Sequence, residues 1–354
     1  MEYGSEFDIN TNLPFLGEAH LPESRQLFRS GRDALKAFAR LAGKKRVLMP
    51  ALCCESMILP FEQNGYGVGF YRLREDLRAD TDDVCAKLRD DSVLLYMRYF
   101  GVRPFADGFL ERLRREDRGL LFLEDRTHDI LVRREDGDFT PDGTAASLRK
   151  WTALPEGGML ETRLGEYGAE TDARYGDLRQ DAMEKKSRFL ENGDPALRAA
   201  YTEMLRRAEA ILDEDGAPIA MRPRCRELLC GLDFDGILDA RRRNLRRLQA
   251  RLAPLSDDGT VRLMTPAPER SGLYLPILVR NRDKVQKKLF SRKIYCPSAI
   301  WPEPAQAAGV CEVSHHITEH MIAVLCDQRY SEADMDYLAD NLIEVLTEEN
   351  RHVY

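Results

Sequence analysis

Lys150 is the residue of this 354-residue chain whose neighbours point most directly to chemistry. It stands in Ser147-Leu148-Arg149-Lys150-Trp151, ahead of Glu156-Gly157-Gly158. A lysine amine attacks a carbonyl when partial burial or a nearby cation lowers its pKa. An isolated lysine is nearly always a solvated surface residue, so its companions decide. Upstream, Glu124-Asp125-Arg126-Thr127-His128 closes an apolar strand, and in a doubly wound sheet ligands bind outside the strand carboxyl ends. Further upstream, Ser30-Gly31-Arg32-Asp33-Ala34 opens a helix. The free N–H groups and dipole of such a helix start favour an anion, and Gly31 admits it close to the backbone.

One cofactor suits all three places. Pyridoxal 5′-phosphate (PLP) needs an amine for its aldehyde, a carboxylate for its pyridinium nitrogen and a cradle for its phosphate. Lys150 would form the Schiff base, Asp125 would keep the ring nitrogen protonated, and His128 could bond the ring hydroxyl. Gly31, Arg32 and Asp33 lie in the cradle, with the Asp33 carboxylate obliged to turn away from a phosphate dianion. Ser147 and Arg149 can donate to the phosphate. Each pattern also has a bland explanation: Ser-Gly before a helix is commonly a cap, and Asp is common at strand ends. Their order along the chain is what binds them together.

The elements around these residues alternate. Helices are expected over 30–41, 55–65, 81–88 (Thr81 as N-cap) and 105–116, and strands over 45–50, 67–71, 92–96 and 119–123. That alternation predicts an α/β fold with a mostly parallel central sheet and helices on both faces. After Asp125, the run Ile130 to Arg134 meets Asp136-Gly137, a hairpin turn signal. The strand that follows, 144–148, then returns beside Asp125 to deliver Lys150. A charged helical region spans 184–212, broken at Gly193-Asp194-Pro195, and an Arg-rich helix spans 233–252. Strands at 274–279 and 321–325 with helices at 285–292 and 331–346 predict a smaller α+β C-terminal domain. The expected division is 1–225 for the large cofactor-binding domain and 226–354 for the small one.

Bulk properties narrow the function further. Lys plus Arg number 53 against 60 Asp plus Glu, a net charge of −7, so the chain lacks the basic excess of nucleic-acid binders. The basic run from Arg241 to Arg247 reads as a solvated helix face. No stretch approaches the length of a membrane helix, and the N-terminus lacks the pattern of a signal peptide. A cytoplasmic location is the expectation. The eight cysteines show no CxxC pair and fit reduced, small apolar residues better than a disulfide framework or a metal site.

This ordered set resembles the fold-type I PLP enzymes, and in particular the DegT-type sugar aminotransferases. Ser30-Gly31-Arg32-Asp33-Ala34-Leu35 is similar to the family's Ser-Gly-Thr-x-Ala-Leu. Leu48-Met49-Pro50-Ala51 resembles its strand ending Val-Pro-Ser, and Tyr99-Phe100-Gly101 its Tyr-Gly pair. Glu124 to His128 matches its Glu-Asp-x-x-His/Gln. Ser147 to Gly158 resembles its lysine motif, with Pro155 in place of the first Gly. Residues 224–251 look like its segment that reaches the partner's active site and then enters an Arg-rich helix, and 331–335 like the start of its last helix. The resemblance implies a homodimer with active sites at the interface, Lys150 as general acid/base, and an amino donor such as glutamate. The acceptor implied is a keto sugar, nucleotide-linked, in polysaccharide biosynthesis.

Departures from the pattern accompany it. Cys54 stands where the family stacks an aromatic residue on the cofactor ring. Arg222 stands where the partner's Asn is usual, and could bind phosphate there. Residues 161–215 match nothing in the pattern. Arg98, His315 and His316 are candidates for acceptor recognition, although Ser314-His315-His316 reads more simply as a polar loop. Two other readings stay open. One is a different PLP chemistry, a lyase or a desulfurase using Cys311. The other is a catalytically silent binding protein on the same fold.

Overall fold

The computed structural model describes residues 2–18, 24–116, 118–135, 137–264, 268–298 and 302–351. The strands are β1 (Tyr3–Gly4), β2 (Arg25–Phe28), β3 (Arg46–Pro50), β4 (Gly67–Tyr71), β5 (Val93–Met97), β6 (Leu121–Asp125), β7 (Gly143–Ser147), β8 (Gly158–Thr162), β9 (Val261–Leu263), β10 (Tyr274–Val279), β11 (Ile294–Tyr295) and β12 (Met321–Leu325). The helices are α1 (Gly31–Ala42), α2 (Glu55–Glu62), α3 (Thr81–Lys87), α4 (Phe109–Arg115), α5 (Ala173–Asn192), α6 (Pro195–Glu214), α7 (Pro223–Cys230), α8 (Phe234–Asp257), α9 (Arg282–Ser291), α10 (Glu312–His320) and α11 (Glu332–Arg351).

Seven strands form the main sheet in the order β2-β8-β7-β6-β5-β3-β4. The run from β7 to β4 is parallel, while β8 and β2 join antiparallel at one edge. Strands such as β5, Val-Leu-Leu-Tyr-Met, are buried throughout because helices cover both faces. Ser30 caps α1 by accepting from the Asp33 N–H, and α1 buries Ala34, Leu35, Ala37 and Phe38 against the sheet. Gly143 makes that packing possible: a Cβ there would lie 2.4 Å from the Phe38 ring. The expected α/β architecture is borne out.

A second sheet, β12-β10-β9, has its own core with α8, α9 and α11. Tyr3 joins that core, and β1 pairs with β11, so the chain's first residues are packed with its last third. The charged region 161–215 becomes a hairpin of two 20-residue helices, α5 and α6, joined through Gly193 in the left-handed region. No helix among the described residues is long and apolar enough to cross a membrane.

Three local expectations need correction. Among the described residues no hairpin follows Asp125: β7 pairs parallel with β6, and residues 126–135 and 137–142 are irregular. Arg126 organises the first of these stretches, donating to Asp129 and to the carbonyls of Asp129 and Val132, which takes the backbone away from a ladder. Asp136, half of the expected turn, lies outside the described residues. At α3 the N-cap is Asp80, not Thr81, because its carboxylate accepts from two N–H groups. In the basic run, Arg242, Arg246 and Arg247 pair with Glu269 or Asp336 on the surface as expected, but Arg241 is buried. Arg241 lies on the stripe of Leu238 and Leu245, which faces the core.

Candidate active site

The carboxyl ends of four adjacent parallel strands supply the site. β3 leads to Cys54, β5 to Tyr99, β6 to Asp125 and His128, and β7 to Ser147 and Lys150. This is where an open α/β sheet places its ligands.

Asp125 ends β6, and its Oδ1 accepts from the Thr127 N–H at 2.8 Å. Burial pushes this carboxyl above its ordinary range, while the Thr127 hydrogen bonds and the positive charge of Lys150 oppose that rise. His128 is 2 % exposed, and burial, with the Lys150 charge adding to it, holds the imidazole well below its ordinary pKa. The ring is therefore neutral at pH 7. Its Nδ1 is buried without a hydrogen-bond partner, which is costly unless something else meets it. Phe100 packs on the ring at 4.5 Å between centroids, and Tyr99 meets its edge at 6.3 Å. Phe100 holds a left-handed backbone (φ 49°) to do so.

Lys150 ends a short 3-10 turn after β7, and its side chain is exposed. Its charge nevertheless acts on both Asp125 and His128. The three residues on which the sequence reading rests are thus brought into one electrostatic neighbourhood.

Of the residues expected to cradle a phosphate, Gly31 and Ser147 lie side by side. A Cβ on Gly31 would lie 3.2 Å from the Ser147 Cβ, so glycine sets the start of α1 against the end of β7. The Ser147 N–H donates to Thr127 Oγ1 at 3.1 Å, which joins this corner to Asp125. Gly158 allows the adjoining strand: a Cβ there would lie 1.9 Å from the Ser30 carbonyl oxygen.

The charged side chains expected in the cradle are engaged elsewhere. Asp33 turns inward, as required, and is fully buried in a two-pronged ion pair with Arg29 at 3.0 Å. It shapes the helix start and does not face a ligand. Arg32 pairs with Glu209 and Asp213 of α6, and Arg149 with Glu209. Arg222 is held by Glu156 and Asp177 of its own chain. The unmatched region 161–215 thus supplies carboxylates to all three arginines, with Glu156 sharing Arg222.

Cys54 is half-buried at the N-cap of α2, its Sγ 2.9 Å from Ser56 Oγ. Cys54 and Asp125 both lie within electrostatic range of the Tyr99 hydroxyl, so Cys54 adjoins the cluster. His315 and His316 lie on α10, not in a loop; His315 Nδ1 meets Glu303 at 3.1 Å. Arg98 is buried between Glu124 and Asp138. Cys311 is buried, capping α10 and contacting the Leu73 carbonyl, which removes it as a nucleophile on a mobile loop.

Two contributors were missed from the sequence. Thr127 bonds Asp125 and Ser147 at once. Trp151, directly after Lys150, is fully buried and donates to the Thr127 carbonyl. A tryptophan beside the lysine was the available signal.

No family model matches the chain, and no curated protein matches it in sequence. Solved structures match it over most of its length. A DegT/DnrJ/EryC1/StrS aminotransferase from Brucella abortus is 18% identical, with a TM-score of 0.57 over 93% of this chain and 86% of that one. DesI, solved in the presence of its TDP-sugar product, is 18% identical, with a TM-score of 0.66 over 96% and 85%. NtdA from Bacillus subtilis, solved with bound cofactor PMP, is 15% identical, with a TM-score of 0.63 over 91% and 73%. The chain has the fold of these aminotransferases, the fold-type I architecture of PLP-dependent enzymes.

Proposed function

We propose that this protein is a PLP-dependent aminotransferase that aminates a keto sugar, nucleotide-linked. The observation that carries the reading is the unpartnered Nδ1 of buried, neutral His128 beside Asp125, within reach of the charge of Lys150. An orphaned buried polar atom fits one hydrogen bond of the kind a ring hydroxyl makes. The residues present fit the cofactor: Asp125 for the pyridinium, His128 for the hydroxyl, Gly31 and Ser147 for the phosphate, Cys54 beside the ring. When bound, PLP supplies an electron sink that makes the substrate Cα–H acidic. Lys150 would hold the group through its amine at rest, and that amine, once displaced by the substrate's, would be the base that takes the substrate Cα proton. Asp125 keeps the ring nitrogen charged, and neutral His128 orients the ring without competing for that charge.

The keto-sugar acceptor is supported by the likeness to DesI, which was solved in the presence of its TDP-sugar product. A homodimer is supported by exposed apolar side chains: Leu13 and Leu16 are 60 % and 66 % exposed, on the segment that Asn12 ties to both backbone groups of Ala153, three residues after Lys150. We read residues 1–225 as the cofactor-holding domain, 226–354 as the small domain, and the cytoplasm as the location.

The deciding experiment is uptake of PLP by the purified protein. Visible absorption that borohydride fixes onto Lys150, and that glutamate bleaches, is expected. A protein that stays colourless with excess PLP would overturn the enzyme reading. Bleaching by another amino acid with release of an alkene or sulfide would replace transamination by lyase chemistry.

A further inference from the structure

Arg241 is 1 % exposed and forms no ion pair among the described residues, so a full charge is buried in α8 at a cost. Its guanidinium donates to three backbone carbonyls. Nη2 reaches the Trp151 carbonyl at 3.0 Å, and Nη1 reaches those of Gly272 and Leu273 at 3.1 and 3.2 Å. The same plane lies over the Trp151 ring, 4.9 Å from its centroid. Gln328 Nε2 adds a second donor to the Trp151 carbonyl at 2.9 Å. The carboxylate whose charge acts on Arg241, that of Asp327, is already held by Arg329 at 2.8 Å.

The three carbonyls are not a random set. Trp151 follows Lys150 directly. Gly272 and Leu273 follow Ser271, whose hydroxyl donates to the His128 carbonyl at 2.9 Å. Trp151 Nε1 closes the circuit at the Thr127 carbonyl. One guanidinium thus joins the segment bearing Lys150 to the segment bearing His128, through elements of the C-terminal third. A planar fork spreads these bonds over two nitrogens at fixed angles, whereas an ammonium would have to reach all three carbonyls from one point.

We infer that Arg241 is a positioning residue for the cofactor lysine, setting Lys150 against His128 and Asp125 through Trp151 and Ser271. This rests on the reading that Lys150 carries PLP. It assigns to the C-terminal third a direct hold on the cofactor site: movement of α8 or of the Gln328 loop is transmitted to Lys150 through one carbonyl.

The test uses the full chain carrying Trp301→Phe, which leaves Trp151 as its sole tryptophan. Into it are placed Arg241→Lys, Arg241→Met and Gln328→Leu. Without cofactor, Trp151 emission should shift to longer wavelength in both Arg241 variants, with Lys failing to restore the parent spectrum. With PLP, the pH midpoint of the visible band, which reports Lys150 beside Asp125 and His128, should move by about half a unit or more in Arg241→Lys and in Gln328→Leu. Cooperative melting of each variant shows that it is folded. If the Arg241 variants do not fold, Gln328→Leu decides alone, because it removes only one donor to the Trp151 carbonyl. Folded variants with parent emission and parent midpoint would overturn the inference. Should the parent take up no PLP, the functional reading fails while the emission test of the Arg241 tie still stands.

Discussion

The indole Nε1 of Trp151 donates to the main-chain carbonyl of Thr127 at 2.7 Å. That single bond joins the two connections, after β6 and after β7, on which the proposed chemistry depends. Thr127 lies between Asp125 and His128, and Trp151 lies next to Lys150. Thr127 also bonds the Asp125 carboxylate through its N–H and the Ser147 N–H through its hydroxyl. Asp125, His128, Ser147 and Lys150 are therefore held by a short network of bonds made mostly by the backbone, and a neutral bond of this kind contributes about 1 kcal/mol.

Lys150→Ala should fold as the parent does, because the side chain is exposed and makes no contact that the core needs. Borohydride labelling at this position must vanish. Turnover should fall by roughly 10²- to 10⁴-fold, the usual share of a positioned acid/base. Near-parental turnover would remove Lys150 from the mechanism.

Asp125→Asn should separate function from stability. Burial raises the Asp125 carboxyl, so the fold loses stability as pH rises through that group's folded pKa. Asparagine cannot ionise and keeps an acceptor for the Thr127 N–H. The cofactor-free variant should melt at or above the parent temperature at neutral pH, while PLP affinity drops roughly 10- to 100-fold through loss of a charge-assisted bond. Scanning calorimetry and an absorption titration give both numbers.

His128 has the opposite sign. Its folded pKa is depressed, so its contribution is present above its ordinary value of 6.5 and is lost as pH falls below it. The unfolded chain then takes up a proton that the buried ring refuses. One such proton changes stability by about 1.4 kcal/mol per pH unit. The difference in melting temperature between parent and His128→Gln should therefore narrow between pH 7 and pH 5 in the cofactor-free protein; a constant difference would show that His128 does not titrate as described.

Asp33→Asn tests whether Asp33 serves the fold or the cofactor. It breaks a buried ion pair with Arg29, although Asp215 still holds Arg29 at 2.6 Å. A loss of about 3 kcal/mol in unfolding free energy is expected, the low end for a broken buried pair. PLP affinity of the remaining folded protein should stay within about twofold, since the carboxylate faces away from Ser147 and Gly31. A large affinity loss without destabilisation would return Asp33 to the cradle.

The sequence by itself determined the strand–helix alternation and the positions of Lys150, Asp125, His128, Gly31 and Ser147. Apolar runs of strand length, helix starts and a glycine at a cap are local signals, set by backbone geometry and side-chain type within a few residues. Only the tertiary structure decided which charges remain free for a ligand. Arg32, Arg149 and Arg222 look alike in sequence, yet Glu209, Asp213, Glu156 and Asp177 claim them, two of these from α6, about 180 residues after Arg32. The tertiary structure also set β7 parallel to β6 where a hairpin was expected, and turned Arg241 from a surface cation into a buried one. Ion pairing and burial depend on partners distant along the chain, and no local pattern encodes them. The lysine was legible because its strand and its neighbours are local; what holds it in place was not, because Trp151 meets Thr127 and Arg241 only once the sheet and α8 have come together.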